Sequence, residues 1–400
     1  MKKRKRGRLF QFGLLGLDTN LLVALLFLMV FGFVMIYSAS YYTASMSSTY
    51  NNAPVYLLKN QVIYSILGII AMLVVSNINY HVWSKLALLG YAACLVLVLL
   101  LETPLGVTVK GATRWLRIGP VQFQVAEPVK LIMIVFMATL ITANARKLKS
   151  WISIILMALP SAVIAMLILT ISDNMSTAAI LLGTAVIMIF VMHPQYWKFF
   201  LCLAVVAVGV TAVLYYVYHM DPAEVADANF RIQRIRAWLV PYEYEQDTAF
   251  QSLQGLYAIG SGGLWGKGLG NSIQKLGKIP EPFNDYIFAI ICEELGIFGA
   301  GLIILLFIYL LYRIYTISQT AEDTLGRMTA IGVMSHIALQ VILNLMVVTN
   351  LFPTTGVTLP FFSYGGTASF FLLIEIGLVL SVNKYSVKKR LDDLKRERLE

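Results

Sequence analysis

Along most of the chain, apolar residues come in runs of bilayer-crossing length separated by short polar breaks. A run that long and that free of charge predicts a transmembrane helix. The first, Leu21 to Ser40, follows a basic stretch and ends in Ser38-Ala39-Ser40, which resembles the cleavage region of a signal peptide. It is longer than a signal-peptide core, and many spans follow it, so it reads as an uncleaved first helix. Further runs lie at 60–78, 84–101, 127–143, 151–171, 175–192, 198–218, 290–315, 328–350 and 367–383. The pattern predicts an all-α polytopic membrane protein with ten transmembrane helices. Its parts are a basic N-terminus at 1–18, a ten-helix domain at 19–383 and a basic tail at 384–400. A large extracytoplasmic loop, 219–285, joins helices seven and eight.

Composition excludes the alternatives. In 400 residues, 58% are hydrophobic and only 13% charged, whereas a soluble protein is about one quarter charged. Neither two or three soluble domains nor a disordered chain fits. The net charge of +10 does not mark a nucleic-acid surface, because the basic residues crowd Lys2–Arg8 and Lys384–Arg398. Such runs beside apolar segments face the cytoplasm. An even number of spans puts both termini on that side, and most of the 31 lysines and arginines fall there. The remainder sits mainly in two external loops, 102–126 and 219–285. Cys94, Cys202 and Cys292 lie in apolar stretches and form no disulfide framework. No internal repeat is visible, which weakens an inverted-repeat transporter.

The chemistry gathers in the external loops. In the first, Arg114 beside Trp115 suits an anionic headgroup, or equally an ordinary aromatic belt. Lys130 lies inside the start of a span, with Glu127 one turn back as its natural partner. In the second loop, Arg231 and Arg234 are spaced to share one helical face and grip a phosphate or pyrophosphate. A solvated surface helix would look the same. The stretch 260–270 holds six glycines, fit for close backbone approach or for a turn. It lacks the serine or threonine of a Walker loop. Asp285 opens a run through Tyr315 that would rise about 46 Å as one helix, against a core of about 30 Å. Its first turns would then line a pocket, with Glu293 and Glu294 deeper. A carboxylate there could be a general base, but position alone favours a helix cap for Asp285. Residues 352–367 carry no charge yet cannot form one regular helix, and His336 and Glu375 lie beside them.

Five segments, GATRWLRIGP (with Gln124, Glu127 and Lys130), FRIQRI, QSLQGLYAIGSGGLWGKGLG, PEPFNDYIFAIICEELG and FPTTGVTLPFFSYGG, follow in order from residue 111 to 366. Together they resemble the SEDS family (shape, elongation, division and sporulation; the FtsW, RodA and SpoVE proteins), most of all its FtsW and SpoVE branch. The resemblance implies a peptidoglycan glycosyltransferase in the bacterial cytoplasmic membrane that polymerises lipid II. A glycan on undecaprenyl pyrophosphate is its donor. A class B penicillin-binding protein is its transpeptidase partner, among other division or sporulation membrane proteins. It implies Asp285 as the catalytic residue, and Arg114, Trp115, Lys130, Arg231, Arg234, Glu293 and Ser363 as substrate-binding positions. Mg or Mn is a candidate cofactor for the leaving group, with no metal ligand assigned. The family's Gln-Pro-Asp-Leu-Gly-Thr reads Ser172-Asp173-Asn174-Met175-Ser176-Thr177 here, so its aspartate falls on Asn174. The alternatives are a lipid II flippase and a non-catalytic scaffold.

Overall fold

Residues 16–109, 111–119, 121–145 and 150–397 are described by the structure, a computed structural model. The basic run Lys2–Arg8, the 146–149 segment, Pro120 and Arg398 lie outside them. Among the described residues, nine helices are long and apolar enough to cross a membrane. They are α1 (Thr19–Met46), α2 (Tyr56–Asn77), α5 (Ala126–Ala143), α6 (Trp151–Ile171), α7 (Met175–Met192), α8 (Trp197–His219), α12 (Ile287–Thr320), α13 (Thr324–Val348) and α14 (Gly366–Arg396). The run expected at 84–101 is split into α3 (Tyr80–Lys85) and α4 (Ala87–Leu99), interrupted at Leu86 and ending in a 3₁₀ turn at Glu102. It begins earlier than hydropathy suggests because the Asn79 side chain accepts from the His81 N–H and starts the helix there.

The loops are structured. Residues 106–124 form a three-stranded antiparallel meander, β1 (Gly106–Val109), β2 (Ala112–Ile118) and β3 (Val121–Gln124), a small sheet added to the helical body. The 219–285 loop carries α9 (Pro222–Asp227), α10 (Phe230–Leu239) and α11 (Phe250–Gly262).

The helix expected to run unbroken from Asp285 does not form. At Gly296 the backbone takes φ 68° and ψ −170°, a region essentially reserved for glycine. The glycine-rich loop seats itself against this break. Lys267 N–H donates to the Glu293 carbonyl (2.9 Å), Gly268 N–H to that of Glu294 (2.9 Å), and Ile297 N–H to that of Gly263 (3.0 Å). A Cβ on Gly296 would lie 2.3 Å from the Leu264 carbonyl oxygen. Interrupted backbone in a membrane segment needs internal partners, so the glycines serve approach to α12 itself.

Buried positions concentrate on α13 and α14, while α8 is almost wholly exposed. Helix α14 lies along α2 at close range, where a Cβ on Gly377 would stand 2.8 Å from the Met72 carbonyl oxygen. The same helix runs on past Lys384, so the start of the tail prolongs a membrane span.

Candidate active site

Four separate pieces of chain bring charge to one end of the bundle. Strand β2 pairs with both neighbours, but against β1 its register jumps from Trp115 opposite Val107 to Thr113 opposite Thr108. Arg114 is the extra residue of that bulge, a device that re-aims a side chain. Its Nε donates to the Ser172 carbonyl (3.2 Å) and its Nη2 to the Asp173 carbonyl (2.9 Å). Trp115 is half-buried one step along the strand, in register with Gln124.

The turn between α6 and α7 divides its two tasks. Asn174 caps α7, its side chain accepting from the Thr177 N–H at 3.0 Å. Asp173, at φ 49°, turns its carboxylate to Arg231, whose Nη2 donates to Oδ1 at 2.6 Å. The residue one place early therefore carries the charge, and the one on the family's aspartate position caps the helix.

Arg231 and Arg234 share a face of α10, as their spacing predicts. Arg234 donates to the Thr354 carbonyl at 3.2 Å and lies 4.1 Å over the Phe230 ring. Burial lowers its pKa, the charge of Arg114 lowers it further, and Asp285 and Tyr286 oppose both. Burial likewise lowers that of Arg114, against the pull of Asp173. Arg114 and Arg234 are thus two half-buried guanidiniums close enough to repel one another. Arg236 instead turns away, buried against the carbonyls of Val217 and Tyr218.

Asp285 does not cap α12. The N-cap is Tyr286, with no side-chain cap bond. The backbone around the aspartate is fixed instead: Tyr364 N–H donates to the Phe283 carbonyl (2.8 Å), Ser363 Oγ to that of Asn284 (2.6 Å) and Asn344 Nδ2 to that of Asp285 (2.7 Å). Across from its carboxylate, a Cβ on Gly356 would stand 4.0 Å from Oδ2. The irregular 349–365 segment has its carbonyls satisfied by side chains, as membrane depth requires. Trp238 serves Asn350, Arg234 serves Thr354, Ser176 serves Thr355, and Gln340 serves Thr358.

Three positions predicted to bind substrate make internal contacts. Ser363 is buried, accepting from the Leu359 N–H (2.7 Å) while it holds Asn284. Glu293 is fully buried, held by Lys267 (2.7 Å), by Ser272, and by the N–H groups of Ile273 (3.1 Å) and Gln274 (3.3 Å). Glu294 beside it takes Lys275 (2.6 Å) and Ser38 (2.7 Å). Buried carboxylates need such partners, and these two lock the glycine-rich loop to α12. Lys130 is 5% exposed and paired with Glu127 at 3.0 Å inside the bundle. Asp173, the partner of Arg231, is the charged residue at this end of the bundle that motif matching passes over. Its sequence signal is a carboxylate at the mouth of a span opposite two arginines. Among the described residues, no three His, Cys, Asp or Glu side chains are grouped to hold a metal ion.

Residues 18–388 match the cell cycle protein family of FtsW, RodA and SpoVE. The chain is 36% identical over 370 residues to the stage V sporulation protein E of Bacillus subtilis, covering 92% of this chain and 97% of that one. It is 33% identical over 369 residues to a probable peptidoglycan glycosyltransferase FtsW of a Geobacter species, covering 92% and 97%. Its fold is similar to a chain of a peptidoglycan synthase complex that coordinates polymerization and crosslinking, with TM-score 0.73, 24% identity, and 92% and 98% covered. It is also similar to the rod shape determining protein RodA of Thermus thermophilus, with TM-score 0.62, 24% identity, and 92% and 97% covered. The chain belongs to the FtsW, RodA and SpoVE family, and it is a multi-pass membrane protein.

Proposed function

We propose that this family member is a peptidoglycan glycosyltransferase that polymerises lipid II on the outer face of the cytoplasmic membrane, with both termini in the cytoplasm. The observation that carries the reading is a carboxylate, Asp285, on a fixed backbone and within the electrostatic reach of Arg234, which in turn feels the charge of Arg114. Asp285 takes the proton from the GlcNAc 4-hydroxyl of lipid II as that oxygen attacks the anomeric carbon of the donor glycan. The bond to undecaprenyl pyrophosphate breaks in the same inverting displacement, giving a β-1,4 linkage. Arg114, Arg231 and Arg234 neutralise the pyrophosphate as it leaves. Its polyprenyl tail stays in the bilayer, which explains why sugar chemistry is done by so apolar a protein.

The described residues offer no ready cage for Mg or Mn, so a divalent cation would arrive with the pyrophosphate. Equilibrium dialysis of substrate-free protein should then find no stoichiometric metal. A class B penicillin-binding protein is the proposed partner that crosslinks the emerging strand.

Purified protein incubated with fluorescent lipid II should make a ladder of glycan products, and Asp285→Asn should lose it. Removal of a general base costs about 10²–10⁴-fold in rate. Unchanged folding together with a wild-type ladder from the variant would remove Asp285 from the chemistry. Wild-type protein that makes no ladder but moves lipid II across vesicles would be a flippase. Protein that does neither, yet binds the transpeptidase, would be a scaffold.

A further inference from the structure

Below the arginines, at the meeting of α5, α6, α7 and α13, lies an internal cavity of about 10 Å³. That is at the lower limit of the room that a water molecule needs. Most of its wall is apolar, but Lys130, Ser161, Thr184 and His336 also line it. Three of these carry a buried polar atom with no hydrogen-bond partner among the described residues: Ser161 Oγ, Thr184 Oγ1 and His336 Nε2. The other imidazole nitrogen, Nδ1, is 2.7 Å from Glu375 Oε2, which leaves Nε2 for something else. The fourth residue, Lys130, has three N–H donors and one ion-pair partner in Glu127 at 3.0 Å. Such a cation in a membrane interior needs further acceptors.

We propose that this cavity binds one ordered water, held by Lys130, Ser161, Thr184 and His336. A water offers two donors and two acceptors, and buried waters typically make two to four bonds. One molecule here would satisfy all three orphaned atoms and accept from the ammonium. It would also join two intramembrane ion pairs, Lys130–Glu127 and His336–Glu375, into one network. Above the cavity, further polar side chains stand on the same face of α13. His336, Gln340 and Asn344 are spaced four residues apart, and Asn344 donates to the Asp285 carbonyl at 2.7 Å. The water site stands on packing alone and does not depend on the polymerase reading.

Three buried methionines, Met133, Met137 and Met188, line the same cavity. Brief X-ray pulses radiolyse bound water to hydroxyl radical in place, and methionine sulfur is oxidised readily to sulfoxide. In the intact chain these methionines should oxidise several-fold faster than Met35 and Met328, which are equally buried but do not line it. Equal rates at all five would overturn the proposal without any variant being made. The double variant Ser161→Ala, Thr184→Val should lower the three rates to those of Met35 and Met328. Thr184→Ser alone should leave them unchanged. Undiminished oxidation in a double variant whose Met35 and Met328 remain protected would also overturn the proposal.

Discussion

Asp173 and Arg231 show how much of the site is fixed before substrate arrives. The pair is short, at 2.6 Å, yet its side chains are 42% (Arg231) and 71% (Asp173) exposed. An exposed pair contributes about 0–1 kcal/mol, so Asp173 is an exchangeable counter-ion that a pyrophosphate can displace. Asp173→Asn should therefore change thermal stability little and should not raise KM for lipid II. Arg231→Gln and Arg234→Gln should each raise KM or lower kcat by about 10–100-fold, since a hydrogen bond to a charged group contributes about 1.5–3 kcal/mol. Arg234 should be the more severe, because it lies closest in charge to both Arg114 and Asp285. Lysine should rescue either position only in part, as it keeps the charge but loses the planar fork. Rates across a lipid II titration separate these outcomes. If both glutamine variants match the wild type, α10 is a solvated surface helix and the pyrophosphate assignment fails.

Helix α12 and its glycine-rich strap form the element on which Asp285 depends. Gly296→Ala would place a methyl 2.3 Å from the Leu264 oxygen and 2.4 Å from the Gly266 nitrogen, at a φ of 68°. Local strain of that kind costs about 1–3 kcal/mol before any clash is counted. The variant should melt well below wild type in detergent and lose glycan synthesis as the strap lifts. Glu294→Ala should be worse, because it leaves Lys275, 6% exposed, without its carboxylate. Breaking a buried pair costs about 3–5 kcal/mol. Hydropathy marks long helices because a bilayer demands continuous apolar sequence, and these spans were legible for that reason. It does not register the break at Gly296, since a glycine leaves the run apolar. The sequence sign of the strap was Glu293-Glu294 inside a span: two carboxylates there require cations, and Lys267 and Lys275 supply them. The meander at 106–124 was illegible because its strands are only four to seven residues long and carry no long alternating pattern. The motifs named Asp285, Arg114, Arg231 and Arg234, whose convergence requires chain pieces far apart in sequence. Glu293 and Ser363 carry the same motifs but fasten backbone instead.

At the scale of the whole molecule, sidedness depends on the least regular crossing. Nine long helices alone would place the termini on opposite sides, so the split segment α3–α4 decides the parity. Taken by itself, Ala87–Glu102 rises about 24 Å, short of a core of about 30 Å. Counted from Tyr80, the broken helix rises about 34 Å, which suffices. Its contacts place its two ends apart. Tyr80 and His81 bond to Asp323 at 2.8 and 2.7 Å, and both rings pack on Tyr385 near the far end of α14. At the other end, β1 follows directly and leads to the Arg114 site. Helix α14 itself begins beside that site, where Tyr364 N–H donates to Phe283. The α3–α4 segment and α14 thus connect the same two faces of the molecule. Ten crossings follow, and the proposed orientation puts the basic residues of the tail on the cytoplasmic side. Reporter fusions at the C-terminus and near residue 245 should therefore give opposite signals, cytoplasmic and external. A fusion after Gly111, in the turn before β2, should match the one near 245. Matching signals from the C-terminus and residue 245 would mean that α12, α13 or α14 fails to cross, whereas reversed signals, external at the C-terminus and cytoplasmic near 245, would mean that α3–α4 does not cross. The arginine cluster would then face the cytoplasm, where no strand emerging outside the cell could be built.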